Sequence, residues 1–289
     1  MIVRARSPYI IFINEAGQTS GKLELRIWKK GETKPTLPTY SFSKPIPSAT
    51  QTLLRFNISP YLKDFISNLL YDVNTWYCKF ECRIFSNDVE LTEQKIEGIA
   101  VNGYTEFLDG QNSNERFTNR FTNIKRQIKI GSTNKLHSYN SLLNEISEIT
   151  ATNVEQTCEL ILEPQLVQFV NRYGGLDFIW FFKMRTDSIS TESKEYKLLQ
   201  PAMYYDTTIG QNAKYNFNGK QSVKMNTGFV NENYNELIQD LILSEKVWIN
   251  SIPAIVKSTG TEFKTQIRNK NINYEIEFEY AFDLINNMQ

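Results

Sequence analysis

The chain has 289 residues, 40% hydrophobic and 13% aromatic, with 32 basic and 32 acidic side chains and a formal net charge of zero. That apolar content excludes wholesale disorder and is enough for two ordinary domains, while the absent net charge gives no general attraction to nucleic acid or a membrane surface. No apolar run approaches the ~20 residues of a membrane helix, and the start, Met1-Ile2-Val3-Arg4-Ala5-Arg6, lacks the apolar stretch of a signal peptide, so synthesis in a cytosol is expected.

Taken in chain order, Tyr9 to Ile13 is a short apolar strand, and Leu23, Leu25 and Ile27 alternate with Glu24 and Arg26, the period of a half-buried strand. A Pro-rich stretch from Lys34 to Pro38 leads to a strand at Tyr40-Ser41-Phe42, ended by Pro45 and Pro47. Ser59-Pro60 suits an N-cap followed by a first helical residue, and Tyr61, Leu62, Phe65, Ile66, Leu69 and Leu70 recur at helical spacing. Trp76, Cys78, Phe80, Cys82 and Ile84 restore the strand period, and Glu97 to Tyr104 closes a first module over 1–107. Cys78 and Cys82 would lie about 13 Å apart on one strand face, too far to bridge. Three cysteines without a C-x-x-C spacing read as buried thiols.

Residues 108–156 change character. They are rich in Asn, Ser and Thr, and Arg116, Arg120, Lys125 and Arg126 interleave with Phe117 and Phe121. We read this segment as a polar, basic linker or arm. Its charges fit an acidic neighbour or a solvated loop, and basic residues with aromatics also form nucleic-acid platforms.

The second module spans 157–289. Cys158 to Leu162 reads as a strand, Gly174-Gly175 as a turn, and Leu176 to Phe182 as a central strand or one buried on both faces. Thr186 to Lys197 reads as a polar segment. Asn233 to Glu236 fits a capping box, with Leu237, Ile238, Leu241 and Ile242 on one helical face. Val247-Trp248-Ile249 is a short strand. Phe263, Thr265 and Ile267, the turn-like Asn269-Lys270-Asn271, and the alternation from Ile272 to Phe282 predict a long terminal hairpin. Glu275, Glu277 and Glu279 line its polar face. The fold expected is mainly β: two antiparallel β-sandwich-like modules, each with one short covering helix, joined by the arm.

The chemistry-bearing residues are sparse. A histidine-dependent triad would have to use His137, the one histidine, in a loop-like setting. Phosphate-binding glycine motifs and nucleophile elbows are absent. The three glutamates have the spacing of a carboxylate pair, yet on an outward strand face they read better as a solvated or pairing surface. No enzyme, cofactor or metal is expected. A basic middle and an acidic end favour head-to-tail contact between copies, with Arg116, Phe117, Arg120, Phe121, Lys125 and Arg126 on one side and Glu275, Glu277 and Glu279 on the other.

Several phrases stand out: Arg6-Ser7-Pro8-Tyr9, Asn14-Glu15-Ala16-Gly17-Gln18, Leu25-Arg26-Ile27-Trp28, Pro38 to Lys44, and Asn57-Ile58-Ser59-Pro60-Tyr61. Others are Tyr173 to Phe178, Asn226-Thr227-Gly228-Phe229, Ser244 to Trp248 and Tyr274 to Phe282. Together they resemble virion proteins of phages infecting Bacteroidetes, specifically the neck and tail ring proteins of crAss-like podoviruses. These are strand and turn phrases at both ends of the chain, and they carry no catalytic residue. The resemblance implies a virion subunit made in the host cytoplasm, in a twelve-fold ring between portal and tail, with other ring, portal or tail proteins as neighbours and DNA passing through the channel. The alternative is a carbohydrate- or receptor-binding β-sandwich using aromatics such as Trp28, Tyr204 and Tyr205; a carboxylate-based hydrolase comes third.

Overall fold

The computed structural model describes residues 1–46, 53–68, 77–106, 164–199, 208, 210–230, 234–258, 260, 262 and 272–285, with the backbone of 127–130, 133–140 and 145–151. The protein is mainly β. It divides into two units, Met1–Glu155 with Val170–Asp177, and Gln156–Phe169 with Phe178–Gln289.

The first unit contains β1 (Ile2–Arg4), β2 (Ile10–Ile13), β3 (Ser20–Lys29), β4 (Tyr40–Pro45), β5 (Leu54–Asn57), helix α1 (Ser59–Ser67), β6 (Tyr77–Ser86), β7 (Val89–Glu90) and β8 (Ile96–Val101). Its main sheet has the order β1-β8-β6-β3-β4, with β7 beside β6. β1 runs parallel to β8; the other pairs of this sheet are antiparallel. Alternation decides what is buried. Leu23, Leu25 and Ile27 of β3 and Phe80, Cys82 and Ile84 of β6 turn to one face, where they meet a second layer made of the β2–β5 pair and α1. Ile11, Ile13, Leu54, Phe56, Leu62 and Ile66 complete this core. Burying such side chains contributes ~1.5–3 kcal/mol each. Tyr61 of α1 packs on Phe42 of β4, ring centroids 4.5 Å apart.

α1 forms where the sequence predicts it, but Ser59 is not its cap. The N-cap is Ile58, without a side-chain cap bond. The buried Ser59 hydroxyl instead donates to the Ser7 carbonyl (2.6 Å) and accepts the Tyr9 N–H (2.7 Å), tying the helix start to the lead-in of β2. Leu69 and Leu70 lie outside the described residues.

The segment read as a polar arm holds three described strands, β9 (Gln127–Ile130), β10 (Thr133–Asn140) and β11 (Glu145–Ala151). They pair antiparallel in the order β11-β10-β9. The predicted glycine turn at 174–175 also belongs to this unit. Asn171 Oδ1 accepts the N–H groups of Tyr173 and Gly175 (3.0 Å each), and Gly174 takes φ 79°. A Cβ at Gly174 would lie 2.7 Å from that of Val101, so both conformation and space require glycine.

The second sheet is built from β12 (Gln165–Val170), β13 (Leu176–Phe181), β14 (Thr186–Lys197), β15 (Asn212–Asn226), β16 (Val247–Ile249), β17 (Ile252–Val256) and β18 (Glu275–Asp283), covered by helix α2 (Tyr234–Ile242). The order is β13-β12-β16-β17-β18-β15-β14. β13 therefore ends the order; it is not a central strand. The sheet cannot be flat. β13 and β14 are consecutive in sequence, and the short link between them reaches about 18 Å at most, whereas six steps between strands would separate them by roughly 29 Å. The sheet curls instead. The Lys183 N–H bonds the Asn226 carbonyl at 3.2 Å, and the Phe181 and Phe278 rings meet edge to face at 5.7 Å. This curl wraps Val167, Phe169, Ile179, Val223, Met225 and Ile276 around one core, closed by Ile238 and Leu241 of α2. The predicted capping residue Asn233 is outside the described residues.

Candidate functional site

Of the sequence-predicted contact residues, Arg116, Phe117, Arg120, Phe121, Lys125 and Arg126 lie outside the described residues. Glu275, Glu277 and Glu279 are on β18, and their setting differs from the edge-like hairpin expected. β18 is an interior strand, with β15 on one side and β17 on the other. The predicted hairpin partner, 263–267, falls outside the described residues. β18 takes the interior position because Ile276 and Phe278 are fully buried, and the two-residue period then turns the glutamates to the polar face.

That face is neutralised within the chain. Lys224 of β15 pairs with Glu275, and Lys257 Nζ approaches Glu279 at 2.8 Å, with Lys220 at 3.9 Å. The hydrogen bond from Lys257 holds the Glu279 carboxyl below its ordinary range, and the bond to Glu275 raises Lys224. Three lysines pair with Glu275 and Glu279, and Lys224 also stands opposite Glu277 in the ladder. The acidic block apparent in sequence is thus a mixed-charge ladder with no acidic excess to offer a neighbour.

A second ionic cluster lies on the outer face of the first sheet, around the fully buried Glu81 of β6. The pleat places Glu81 directly opposite Arg26 of β3 and Glu97 of β8. Two carboxylates facing each other are destabilising, and Lys95 sits between them, 2.8 Å from Glu81 and 2.6 Å from Glu97. Arg83 Nε adds a contact at 3.0 Å, and Lys34 bonds Glu81 from the loop after β3. The bond from Lys95 holds Glu97 below its usual value. The Thr36 carbonyl of the same loop accepts from Arg26 (3.4 Å), so the cluster pins the loop over the sheet. Every carboxylate here is engaged by cations, and the arrangement is that of a structural network.

The two described thiols are suppressed by burial. Burial pushes the Cys78 thiol up to about 12 and Cys82 higher still, which suppresses the nucleophilic thiolate. His137 belongs to β10, in register with Glu148 of β11; the sequence had placed it in a loop. Among the described residues no three His, Cys, Asp or Glu side chains are grouped to hold a metal.

The feature that stands out is one the sequence reading passed over. Thr186 to Lys197, read as a polar segment, is the twelve-residue strand β14, exposed at every position. It pairs with β15 from Thr186↔Lys224 to Lys197↔Asn212. β18 accompanies β15 as far as Lys220, where it pairs through Asp283, and the Leu284 N–H just beyond it still bonds the Gly219 carbonyl at 2.8 Å. From Asn218 to Asn212 the β14–β15 pair continues as a two-stranded ribbon, roughly 20 Å long at the usual rise per residue. Asn216, at φ 53°, lies in the shift of register between Glu192 and Lys194, which marks a bulge in β15.

The ribbon has distinct faces. Beyond the bulge, Lys194 and Tyr196 share a face with Tyr215 and Ala213, and the rings of Tyr196 and Tyr215 meet edge to face at 5.5 Å. Glu195 and Lys197 share the other face with Lys214 and Asn212, and Lys214 pairs with Glu195 at 3.1 Å. Ile189 (64% exposed), Tyr196 (48%), Tyr215 (49%) and Phe217 (46%) are large apolar side chains left in solvent. Among the described residues nothing pairs with the outer edge of β14, or with the far edge of β15 beyond Asn218. The local signal in the sequence was weak: Ser and Thr are common in strands, but a strand exposed on both faces shows no alternation.

In comparison with known proteins, no protein family, no curated protein and no solved structure matches the chain.

Proposed function

We propose that this chain is a non-enzymatic structural subunit that builds into a multi-copy assembly. The observation that carries the reading is the β14–β15 ribbon, a long strand pair with both faces and both distal edges unprotected among the described residues. Isolated two-stranded ribbons are marginal in water, and long exposed edges invite pairing with another chain. A subunit that gains a neighbour on assembly makes use of both properties. The chemistry of the described residues agrees: Cys78 and Cys82 are buried, and the carboxylates of Glu81, Glu97, Glu275 and Glu279 are paired with lysines and arginines.

The particular assembly we infer is a neck or tail ring of a phage particle, lining a channel for DNA and cargo and flanked by portal or tail proteins. The strand and turn phrases that resemble the crAss-like ring proteins support this placement, and twelve copies is the number the resemblance implies. Mass measurement of the purified protein, followed by electron microscopy of any large species, tests the reading. A closed ring of defined copy number is expected. A monomer at all concentrations that is retained on a glycan column would favour the carbohydrate-binding alternative, and turnover of a polysaccharide lost on one carboxylate substitution would favour a hydrolase.

A further inference from the structure

We propose that the distal β14–β15 ribbon pairs strand to strand with the ribbon of the next copy, β14 of one against β15 of the other, so that successive ribbons form one continuous antiparallel sheet. The proposal rests on the assembly reading above and names the contact that would make it.

Three observations lead to it. The first is the pair of open edges. β14 ends the strand order of its sheet, and β15 loses its β18 neighbour beyond Gly219, so among the described residues the distal ribbon has no strand partner on either outer side. A two-fold contact, β14 against β14, would satisfy one edge of each ribbon and leave every β15 edge open. A head-to-tail arrangement satisfies both edges with one kind of contact, and such contacts close when the rotation allows. The strands also alternate in direction, because β14 and β15 are antiparallel. β14 beside the next copy's β15 therefore continues the same antiparallel pattern.

The second is charge. In a ribbon-to-ribbon contact at equal height, each β14 residue meets on its outer side the residue type it already meets on its inner side. Glu195, 3.1 Å from its own Lys214, would face the next copy's Lys214, and Lys194 would face a second Tyr215. No like-charged pair is created. Acidic and basic residues interleave along the distal ribbon, Glu192 and Glu195 with Lys194, Lys197 and Lys214. A nucleic acid would require a basic track, and the ribbon has none; a second copy of the same mixed ribbon suits it.

The third is the apolar content. Pairing would bring Tyr196 and Tyr215 of neighbouring ribbons together on one face and leave Glu195, Lys197 and Lys214 on the other. The resulting sheet has an aromatic side able to pack and a charged side able to face water.

The test uses full-length variants in which one ribbon cysteine is added to the three native cysteines. One carries Glu195→Cys on β14; the other carries Lys214→Cys on β15, with Asn212→Cys as a second β15 position in case the copies are offset by two residues. Mixed and oxidised, the β14 and β15 variants should form a disulfide-linked dimer that neither forms alone, at several-fold the yield of the unmodified chain. Self-cross-linking of Glu195→Cys would show a two-fold contact and overturn the proposal. Large assemblies with no ribbon cross-link would leave the structural-subunit reading standing and overturn the ribbon as its contact. A monomer throughout would overturn both. As an independent arm, Glu195→Lys should raise the concentration for half-assembly at least tenfold, and adding Lys214→Glu should restore it; equal assembly by all three chains would count against strand-to-strand pairing.

Discussion

Two long antiparallel strand pairs, β3 with β6 and β14 with β15, show how little strand pairing alone says about stability. Both run for about ten residues, β3 and β6 in unbroken register, β14 and β15 with one bulge between Glu192 and Lys194. β3 and β6 press Leu23, Leu25, Phe80 and Cys82 into a closed core and carry the Glu81 network on the other side. The distal part of β14 and β15 has the same backbone ladder with solvent on both faces. The first pair is held by burial, in which each large apolar side chain contributes kilocalories. The second has cross-strand contacts such as Tyr196–Tyr215, worth ~0.2–1 kcal/mol each, to set against the entropy of ordering the chain. The lesson is that a strand pair of this second kind draws little stability from its own side chains.

Mutations sharpen the contrast, the largest effects falling on the buried pair. Phe80→Ala should destabilise the protein by about 3–5 kcal/mol, because it removes a fully buried ring and leaves a cavity; chemical denaturation checks this. Glu81→Ala should cost about 3 kcal/mol, toward the low end for breaking a buried ion pair, since Lys34, Arg83 and Lys95 keep part of their side chains in water. A neutral Glu81→Ala would mean that the network is ornamental and that the loop over it is held otherwise.

Acid should act through the paired carboxylates. Bonds from Lys22, Lys95 and Lys257 lower Glu24, Glu97 and Glu279 respectively. A carboxyl lowered in the folded state stabilises fully above its unfolded value of ~4.3, and that contribution disappears as pH falls through the folded value. Stability measured by urea should therefore be flat from pH 7 to about 5 and decline below about 4. The Glu279→Gln variant should decline less steeply, by under about 1 kcal/mol, the scale of an exposed pair. A decline that begins above pH 5.5 would point to other groups.

The smallest stability effect belongs to the ribbon. Tyr215→Ala should change the stability of the isolated chain by under about 0.5 kcal/mol while abolishing most assembly in the mass measurement. If Tyr215→Ala instead unfolds the chain, the ribbon is a folded part of one copy and its distinction from β3–β6 collapses.

Much of the fold could be read before any coordinates, for reasons visible in particular residues. The alternation of β3, β6 and β18 marks one apolar face, and helical spacing over Tyr61 to Ile66 and Leu237 to Ile242 marks α1 and α2. The turn at Gly174-Gly175 follows from a backbone that needs positive φ. What escaped was whatever lacked a buried face. β14 alternates nothing because neither of its sides is covered. Ser59 resembled a cap because capping is judged locally, while its hydroxyl is engaged by Ser7 and Tyr9, about fifty residues away.

The sequence by itself determined which residues face inward, since period and apolarity act on each short segment independently of the rest. It also determined that no histidine cluster or glycine-rich phosphate loop exists. Only the tertiary structure decided which strands adjoin. Adjacency placed β18 inside the sheet with Lys220, Lys224 and Lys257 around its glutamates, curled β13 back toward β15, and left the β14–β15 ribbon extended and uncovered among the described residues. Pairing partners are chosen by the packing of the whole core, at distances along the chain that no local pattern encodes.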